Sequence, residues 1–158
     1  MPDMLVKLYQ QPSGEELYRK LAEEGIRIKR AMACDLTVIR DFIEAHFGRG
    51  WADEATKAVL NQPSSCFIAT MEGEVAGFAA YDATGKAFFG PTGVKETLRG
   101  RGIGKALYLR CLHAMYEAGY AYGIIGDAGP TEFYAKASGA IVIPDSWPGE
   151  YANLSRWK

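Results

Sequence analysis

The stretch Arg99-Gly-Arg-Gly-Ile-Gly104 puts three glycines and two arginines within six residues, and Lys105 follows. Glycine loses more conformational freedom on folding than any other residue, and arginine resists burial, so the cluster needs a chemical reason. An apolar helical pattern starts at once: Ile103, Ala106, Leu107, Cys111, Ala114, Met115 and Ala118 share one face. The first turn of a helix leaves N–H groups unpaired and carries the positive end of the dipole, so it attracts anions. Glycines let the backbone come close to a bulky phosphate, and Arg99, Arg101 and Lys105 add charge where two adjacent phosphates would sit. The chemistry indicated is the grip of a pyrophosphate. A Walker-type loop does not fit, because position 99 is Arg and Ala106 stands where a Ser or Thr is needed. The spacing Gly100-x-Gly102-x-Gly104 is not the dinucleotide fingerprint either. A glycine-rich turn that merely lets a helix pack tightly is the bland alternative, and the adjoining arginines argue against it.

Arg99-Gly-Arg-Gly102-Ile-Gly104 fits the pattern Arg/Gln-x-x-Gly-x-Gly/Ala, and here the sequence resembles the GNAT superfamily of N-acetyltransferases. The resemblance runs from about Ile26 to Ala140 and is strongest over 86–140, with Glu96 standing where that family often has proline. It implies an α/β (α+β) fold: a mixed, mostly antiparallel central sheet flanked by helices, with two splayed strands forming a cleft for coenzyme A. It further implies that Arg99, Gly100, Arg101, Gly102, Ile103, Gly104 and Lys105 hold the pyrophosphate of acetyl-CoA, the co-substrate. On the preceding strand, Val94 would hydrogen-bond the cofactor and Thr92 would lie close to the acetyl group.

The segment "EFYAKASGA" is similar to the family's Phe-Tyr-x-Lys-x-Gly, with one extra residue before Gly139. The resemblance makes Tyr134 the proton donor to the departing sulfur and leaves Phe133 in the core; a core tyrosine is the alternative for Tyr134. Two acids compete for the general base. Asp127 follows the strand 120–128, with a turn role as its alternative, and Glu132 opens the next helix, where the dipole alone favours an acid. In such a fold the acceptor lies between the first two helices and the last loops, which here are "HFGRGW" and "DSWPGEY". Arg49, Trp51 and Trp147, with Glu150 and Tyr151, offer charge and stacking surface for a small polar amine. The implied reaction is direct acetyl transfer from acetyl-CoA to a primary amine of a small molecule in a ternary complex. Cys111 leaves an acyl-enzyme open, and a protein amine, a non-catalytic acyl-CoA sensor and a nucleotide-binding module are the competing readings.

"MLVKLY" (4–9) predicts a short strand, and Ser13 a helix cap with Gly25 as the stop. These residues, 1–25, form an N-terminal arm on a single domain of 1–158. "IRIKRA" alternates as a half-buried strand, and helices follow from Asp35 to the glycines of "FGRGW" and from Trp51 to Asn61. "CFIAT" and "VAGFAAYDA" flank a tight turn as a hairpin, and "KAFFGPTGV" is a third strand. Pro91 has no N–H for a continuous ladder, and Gly90 and Gly93 permit a bulge, which suits a strand that splays. A long helix from about Arg101 to Ala118, a strand at 120–128 and a short helix at 131–138 come next. "AIVIP" and "YANLSRW" are the expected closing strands.

The 158 residues suffice for one substantial core, and 48% apolar with 23% charged residues is the profile of a globular protein. A formal net charge of −1 gives no global attraction to nucleic acid or anionic membrane, so anion binding must be local. No apolar run is long enough to span a bilayer and the first residues lack a signal-peptide pattern, so the expected location is cytoplasmic. Cys34, Cys66 and Cys111 lack metal-type spacing, and His46 and His113 are too sparse for a metal site, so no metal is expected. Dimers are common in the family, which keeps a homodimer open.

Overall fold

A computed structural model describes residues 1–155. The chain forms β1 (Met4–Lys7), α1 (Glu15–Glu23), β2 (Ile26–Arg30), α2 (Leu36–Phe47), α3 (Arg49–Leu60), β3 (Cys66–Met71), β4 (Glu74–Tyr81), β5 (Phe88–Val94), α4 (Ile103–Glu117), β6 (Tyr122–Ile125), α5 (Thr131–Ser138) and β7 (Ile141–Val142). The seven strands make one mixed sheet in the order β2-β3-β4-β5-β6-β1-β7. Only β5 and β6 run parallel; every other neighbouring pair is antiparallel.

Helices cover both faces of the central strands, and the strand sequences are apolar in both registers for that reason. Phe67, Ala69, Ala79 and Tyr81 face a core shared with Leu21 of α1 and with Ile103, Leu107 and Cys111 of α4. Their alternates Cys66, Ile68, Phe78 and Ala80 face Ile39 and Ile43 of α2 and Ala52, Ala55 and Val59 of α3. The two-residue period of a strand thus divides one hairpin between two cores.

The expected break in β5 is present. The β4–β5 register slips between Ala79↔Thr92 and Tyr81↔Phe89, so the extra residue of the bulge falls in the Gly90–Pro91 stretch. On its other edge β5 pairs with β6 only at Phe88↔Ile124 and Phe89↔Ile125, and beyond that point the two strands part. Gly93 serves a close approach: a Cβ there would lie 2.5 Å from Cζ of Phe47, so only glycine lets that ring rest on the strand.

The closing strands differ from expectation. "AIVIP" shrinks to the two residues of β7, and both Ile141 and Val142 are exposed. Of "YANLSRW", Tyr151 ends a short 3-10 helix, residues 152–155 are turn and irregular structure with no strand, and 156–157 lie outside the described residues. The expected N-terminal strand forms as β1 and pairs with β6, with Met4↔Ile125 through Lys7↔Tyr122 in register. Met4 and Val6 disappear into the α4 core, whereas Tyr151 is drawn to the end of the β5–β6 gap. Helix α1 begins at Glu15 with Gly14 in the left-handed N-cap, and Ser13 Oγ accepts only a long 3.4 Å bond from the Glu15 N–H. Gly25 follows its end at φ 80°, as expected of a C-terminal glycine.

Candidate functional site

The glycine–arginine loop leads from β5 into α4, two residues later than the sequence pattern suggests. Gly102 is the N-cap, at φ 92° and ψ 7°, and Gly100 stands at φ 85°. Both are left-handed, a conformation that a residue with a Cβ adopts at a cost. The first intrahelical bond runs from the Ala106 N–H to the Gly102 carbonyl, so the N–H groups ahead of it are the orphan donors of the first turn. No atom comes within 4 Å of where a Gly100 Cβ would lie. Ile103 sends its side chain into the core and so offers the loop only its backbone. Arg99 Nε donates to the Val94 carbonyl at 3.2 Å, tying the loop to the end of β5, and Arg101 lies 3.8 Å from Glu24 after α1. A dipole end, orphan amides and three cationic residues make a cradle that fits a pyrophosphate. Such a group would sit at the open end of the β5–β6 gap.

The closed end of that gap holds a small cavity of about 90 Å³, lined by Trp51, Glu54, Thr84, Phe89, Gly90, Pro91, Gly126, Asp127, Tyr151 and Leu154. Its charged lining residues are the two carboxylates Glu54 and Asp127, and among the described lining residues none is cationic. Thr84 Oγ1 donates to Glu54 Oε1 at 2.6 Å. Burial, and then the charge of Glu54, push the Tyr151 phenol up to about 12, against a hydrogen bond with Thr84 that lowers it. Asp127 is held in a left-handed turn at φ 48°, its N–H donating to Asp3 Oδ1 at 2.9 Å. The α-amino nitrogen of Met1 lies 3.4 Å from Asp127 Oδ1.

Tyr134 sits behind this vertex, its ring edge-on to Phe89 at 6.2 Å and to Tyr108 at 5.0 Å. Burial alone raises its phenol to about 12, so the hydroxyl keeps its proton throughout the neutral range. Two tyrosines here differ in availability. The Tyr108 hydroxyl is engaged with Ser138 Oγ at 2.7 Å, while the Tyr134 hydroxyl has no hydrogen-bond partner among the described residues. Glu132 opens α5 and does not line the cavity.

Of the residues expected at the acceptor, Trp51 and Tyr151 meet in the cavity, with Trp51 stacked on Phe47 at 5.4 Å. Arg49 points outward, 88% exposed and 4.0 Å from Glu44, and neither it nor Trp147 nor Glu150 lines the cavity. The Thr92 hydroxyl donates to the Phe78 carbonyl at 3.0 Å, so that side chain is engaged with β4, and Thr92 does not line the cavity. Sequence reasoning missed Glu54, Thr84 and Asp3. A signal for Glu54 was available, since it lies three residues after Trp51 on the same helix face.

A larger open groove of about 480 Å³ lies against the β4–β5 connection and the end of α3. Several of its polar groups are paired: Lys57 Nζ donates to Asn61 Oδ1, Asn61 Nδ2 to Ser65 Oγ, and Asp82 Oδ2 accepts from the Tyr120 hydroxyl behind it. That network braces the connection and leaves no convergent set of groups for a reaction. Among the described residues, no cluster of three or more His, Cys, Asp or Glu could hold a metal ion, and no helix is long and apolar enough to cross a membrane.

Comparison with known proteins agrees with this geometry. The family model described as the acetyltransferase (GNAT) family matches residues 35–139, more than half of the chain. No curated protein matches significantly. Among solved structures, a GCN5-related glucosamine N-acetyltransferase region of a fungal multi-domain GH3 β-N-acetylglucosaminidase has a TM-score of 0.73 at 15% identity, over 90% of this chain and 19% of that one. A GCN5-related N-acetyltransferase from Sphaerobacter thermophilus has a TM-score of 0.69 at 23% identity, over 90% of this chain and 48% of that one. A GNAT family acetyltransferase from Brucella melitensis, solved in complex with acetyl-CoA, has a TM-score of 0.55 at 18% identity, over 75% and 86%. The chain therefore spans less than half the length of the first two, and at these identities the likeness is one of fold.

Proposed function

The chain belongs to the GNAT acetyltransferase family, and from that premise we propose that it acetylates a small cationic amine directly from acetyl-CoA. The observation that carries the choice of acceptor is the pair of carboxylates, Glu54 and Asp127, facing the cavity where β5 and β6 part. An ammonium group entering that cavity meets the Glu54 carboxylate on one wall, the Asp127 carboxylate shared with the Met1 α-amino group on another, and an aromatic face from Trp51, a favourable setting for a cation.

Acetyl-CoA, when bound, supplies the activated acyl group. Arg99, Arg101, Lys105 and the first-turn amides of α4 would hold its pyrophosphate, and the backbone of Thr92–Val94 lines the gap beside it. Transfer needs a neutral amine, and Asp127 is the carboxylate at the end of β6 able to take the proton from an ammonium, directly or through a water. It also needs a donor for the departing thiolate. The unpartnered, fully protonated Tyr134 hydroxyl beside Phe89 fits that role better than Tyr108, whose hydroxyl is engaged. Two of the three thiols are poorly suited to an acyl-enzyme: burial pushes Cys66 up to about 12 and Cys111 well above its ordinary value, while the exposed Cys34 does not line the cavity. That supports direct transfer.

The test is thiol release from acetyl-CoA with a panel of amines: spermidine, tyramine, glucosamine and a lysine-bearing peptide. Cationic small amines should be turned over, and Glu54→Gln should raise the amine KM about tenfold with little change in the acetyl-CoA KM. Stabilisation by acetyl-CoA with no amine-dependent thiol release would leave an acyl-CoA sensor in place of an enzyme. Preference for the peptide would move the acceptor to a protein amine.

A further inference from the structure

Asp3 is the one carboxylate among the described residues whose side chain is buried, at 8% exposure. A buried carboxylate is costly unless its oxygens are satisfied, so its contacts say what it is for. Oδ1 accepts the N–H of Asp127 at 2.9 Å. Its own N–H donates to Ser146 Oγ at 2.8 Å, and its carbonyl accepts the N–H of Ile143 at 2.9 Å. Ser146 in turn donates to the Ile143 carbonyl at 2.7 Å, closing the loop that leads on to Tyr151. Asp3 thus touches both segments that bring side chains to the cavity from this side: the turn of Asp127 and the 143–151 loop.

The register explains why a side chain is needed there. Through Met4↔Ile125 the β1–β6 ladder pairs residues whose partners follow one count, yet the next bond, from the Ala128 N–H to the Pro2 carbonyl at 2.8 Å, is displaced by one residue. The extra residue is taken up at the left-handed Asp127 turn, and the ladder leaves the Asp127 N–H without a backbone acceptor. The carboxylate of Asp3 fills that vacancy. Left-handed backbone at a residue with a Cβ persists only where its surroundings over-determine it, and here Asp3 and Pro2 do so from the segment that leads into β1.

We propose that Asp3 is a positioning residue for the acceptor side of the site, its carboxylate fixing the direction of Asp127 and its backbone fixing the loop that carries Tyr151. The role rests on the acetyl-transfer reading for its consequence, but the hold on Asp127 stands apart from it. It also gives the N-terminal segment a part in function: the residue just ahead of β1 organises the cavity.

Two readouts test it on the full chain. Amide hydrogen exchange at Asp127 and Ala128 reads the hold directly, with no substrate. Thiol release with spermidine and with tyramine, varying amine and acetyl-CoA separately, reads the consequence. Asp3→Ala should speed exchange at Asp127 about tenfold or more and lower kcat/KM for the amine about tenfold, with the acetyl-CoA KM unchanged. Asp3→Asn keeps an acceptor oxygen and should recover most of both. Ser146→Ala loosens the loop alone and should raise the amine KM without touching Asp127 exchange. Unchanged exchange and amine KM in Asp3→Ala would overturn the proposal. So would a parallel rise of both KM values with a lowered melting temperature, the mark of a merely structural residue. If the wild type releases no thiol with either amine while exchange at Asp127 still answers to Asp3→Ala, the acetyl-transfer reading falls and the hold on the turn stands.

Discussion

Replacing Gly102 by Ala tests the reading of the cofactor loop, and Gly100 provides its internal control. At both positions φ is left-handed, 92° and 85°, where a Cβ costs about 1–2 kcal/mol. The surroundings differ. A Cβ at Gly100 meets nothing within 4 Å, whereas one at Gly102 would lie 2.9 Å from Leu17 Cδ1 of α1. That atom is the tip of a flexible side chain, and a small rotation of Leu17 relieves the contact for about 0.5–1.5 kcal/mol at most. The backbone conformation should therefore dominate. Gly100→Ala and Gly102→Ala should each lower unfolding stability by about 1–2 kcal/mol, Gly102→Ala slightly more, measured by urea denaturation.

Affinity should respond more strongly than stability. If Gly102 relaxes towards negative φ, the amides that follow it turn away from the anion. Each charge-assisted bond to a phosphate is worth about 1.5–3 kcal/mol, so losing one raises the acetyl-CoA Kd about tenfold to a hundredfold by calorimetry. Leu17→Ala added to Gly102→Ala should return little of this. Two results would refute the reasoning: acetyl-CoA bound by Gly102→Ala within about twofold of wild type, or affinity restored by Leu17→Ala. The first would remove the loop as the pyrophosphate site. The second would mean that α1, not the left-handed backbone, dictates glycine at this position.

Tyr134→Phe should lower kcat about tenfold to a hundredfold in the thiol-release assay while leaving acetyl-CoA affinity and melting temperature close to wild type. The hydroxyl has no partner among the described residues to lose, so an unchanged kcat would return Tyr134 to the core. Stability should also fall in alkali. Burial raises Tyr18, Tyr134 and Tyr151 to about 12 from 10.0, so their contribution is fully present below pH 10 and is lost as pH rises towards 12, because the unfolded chain ionises first. Urea unfolding at intervals from pH 8 to about 11.5 should show a plateau followed by a decline above pH 10; a plateau that persists would contradict the burial of these phenols.

The parts of the proposed site that are legible in the sequence are those built from one short segment. The loop from Val94 to Lys105 declares itself because its glycines, its cations and the start of α4 are contiguous. Pro91 likewise announces the bulge in β5, since a missing N–H is a property of one residue. What was missed depends on pairing across the chain. No local pattern says that "MLVK" will pair with β6, because the strand is short and its place is set by the burial of Met4 and Val6. Arg49 was expected at the acceptor from its neighbourhood to Trp51, yet the turn of α3 that points Trp51 and Glu54 inward leaves Arg49 in solvent.

That division has a mechanical consequence. On the proposed reading the cofactor side is a continuous piece of chain leading into a fifteen-residue helix, whereas the acceptor side draws on Asp3, Glu54, Thr84, Asp127 and Tyr151, each on a different segment. A loop encoded locally can keep its grip on one cofactor while the distant segments change independently, so the two sides should be separable by mutation. Changes at Gly100 or Gly102 ought to move acetyl-CoA affinity, and changes at Asp3 or Glu54 ought to move only the amine KM. Were the two sets of variants to shift both constants together, the site would be a single cooperative unit, and the cavity at the closed end of the β5–β6 gap could not be assigned to the acceptor alone.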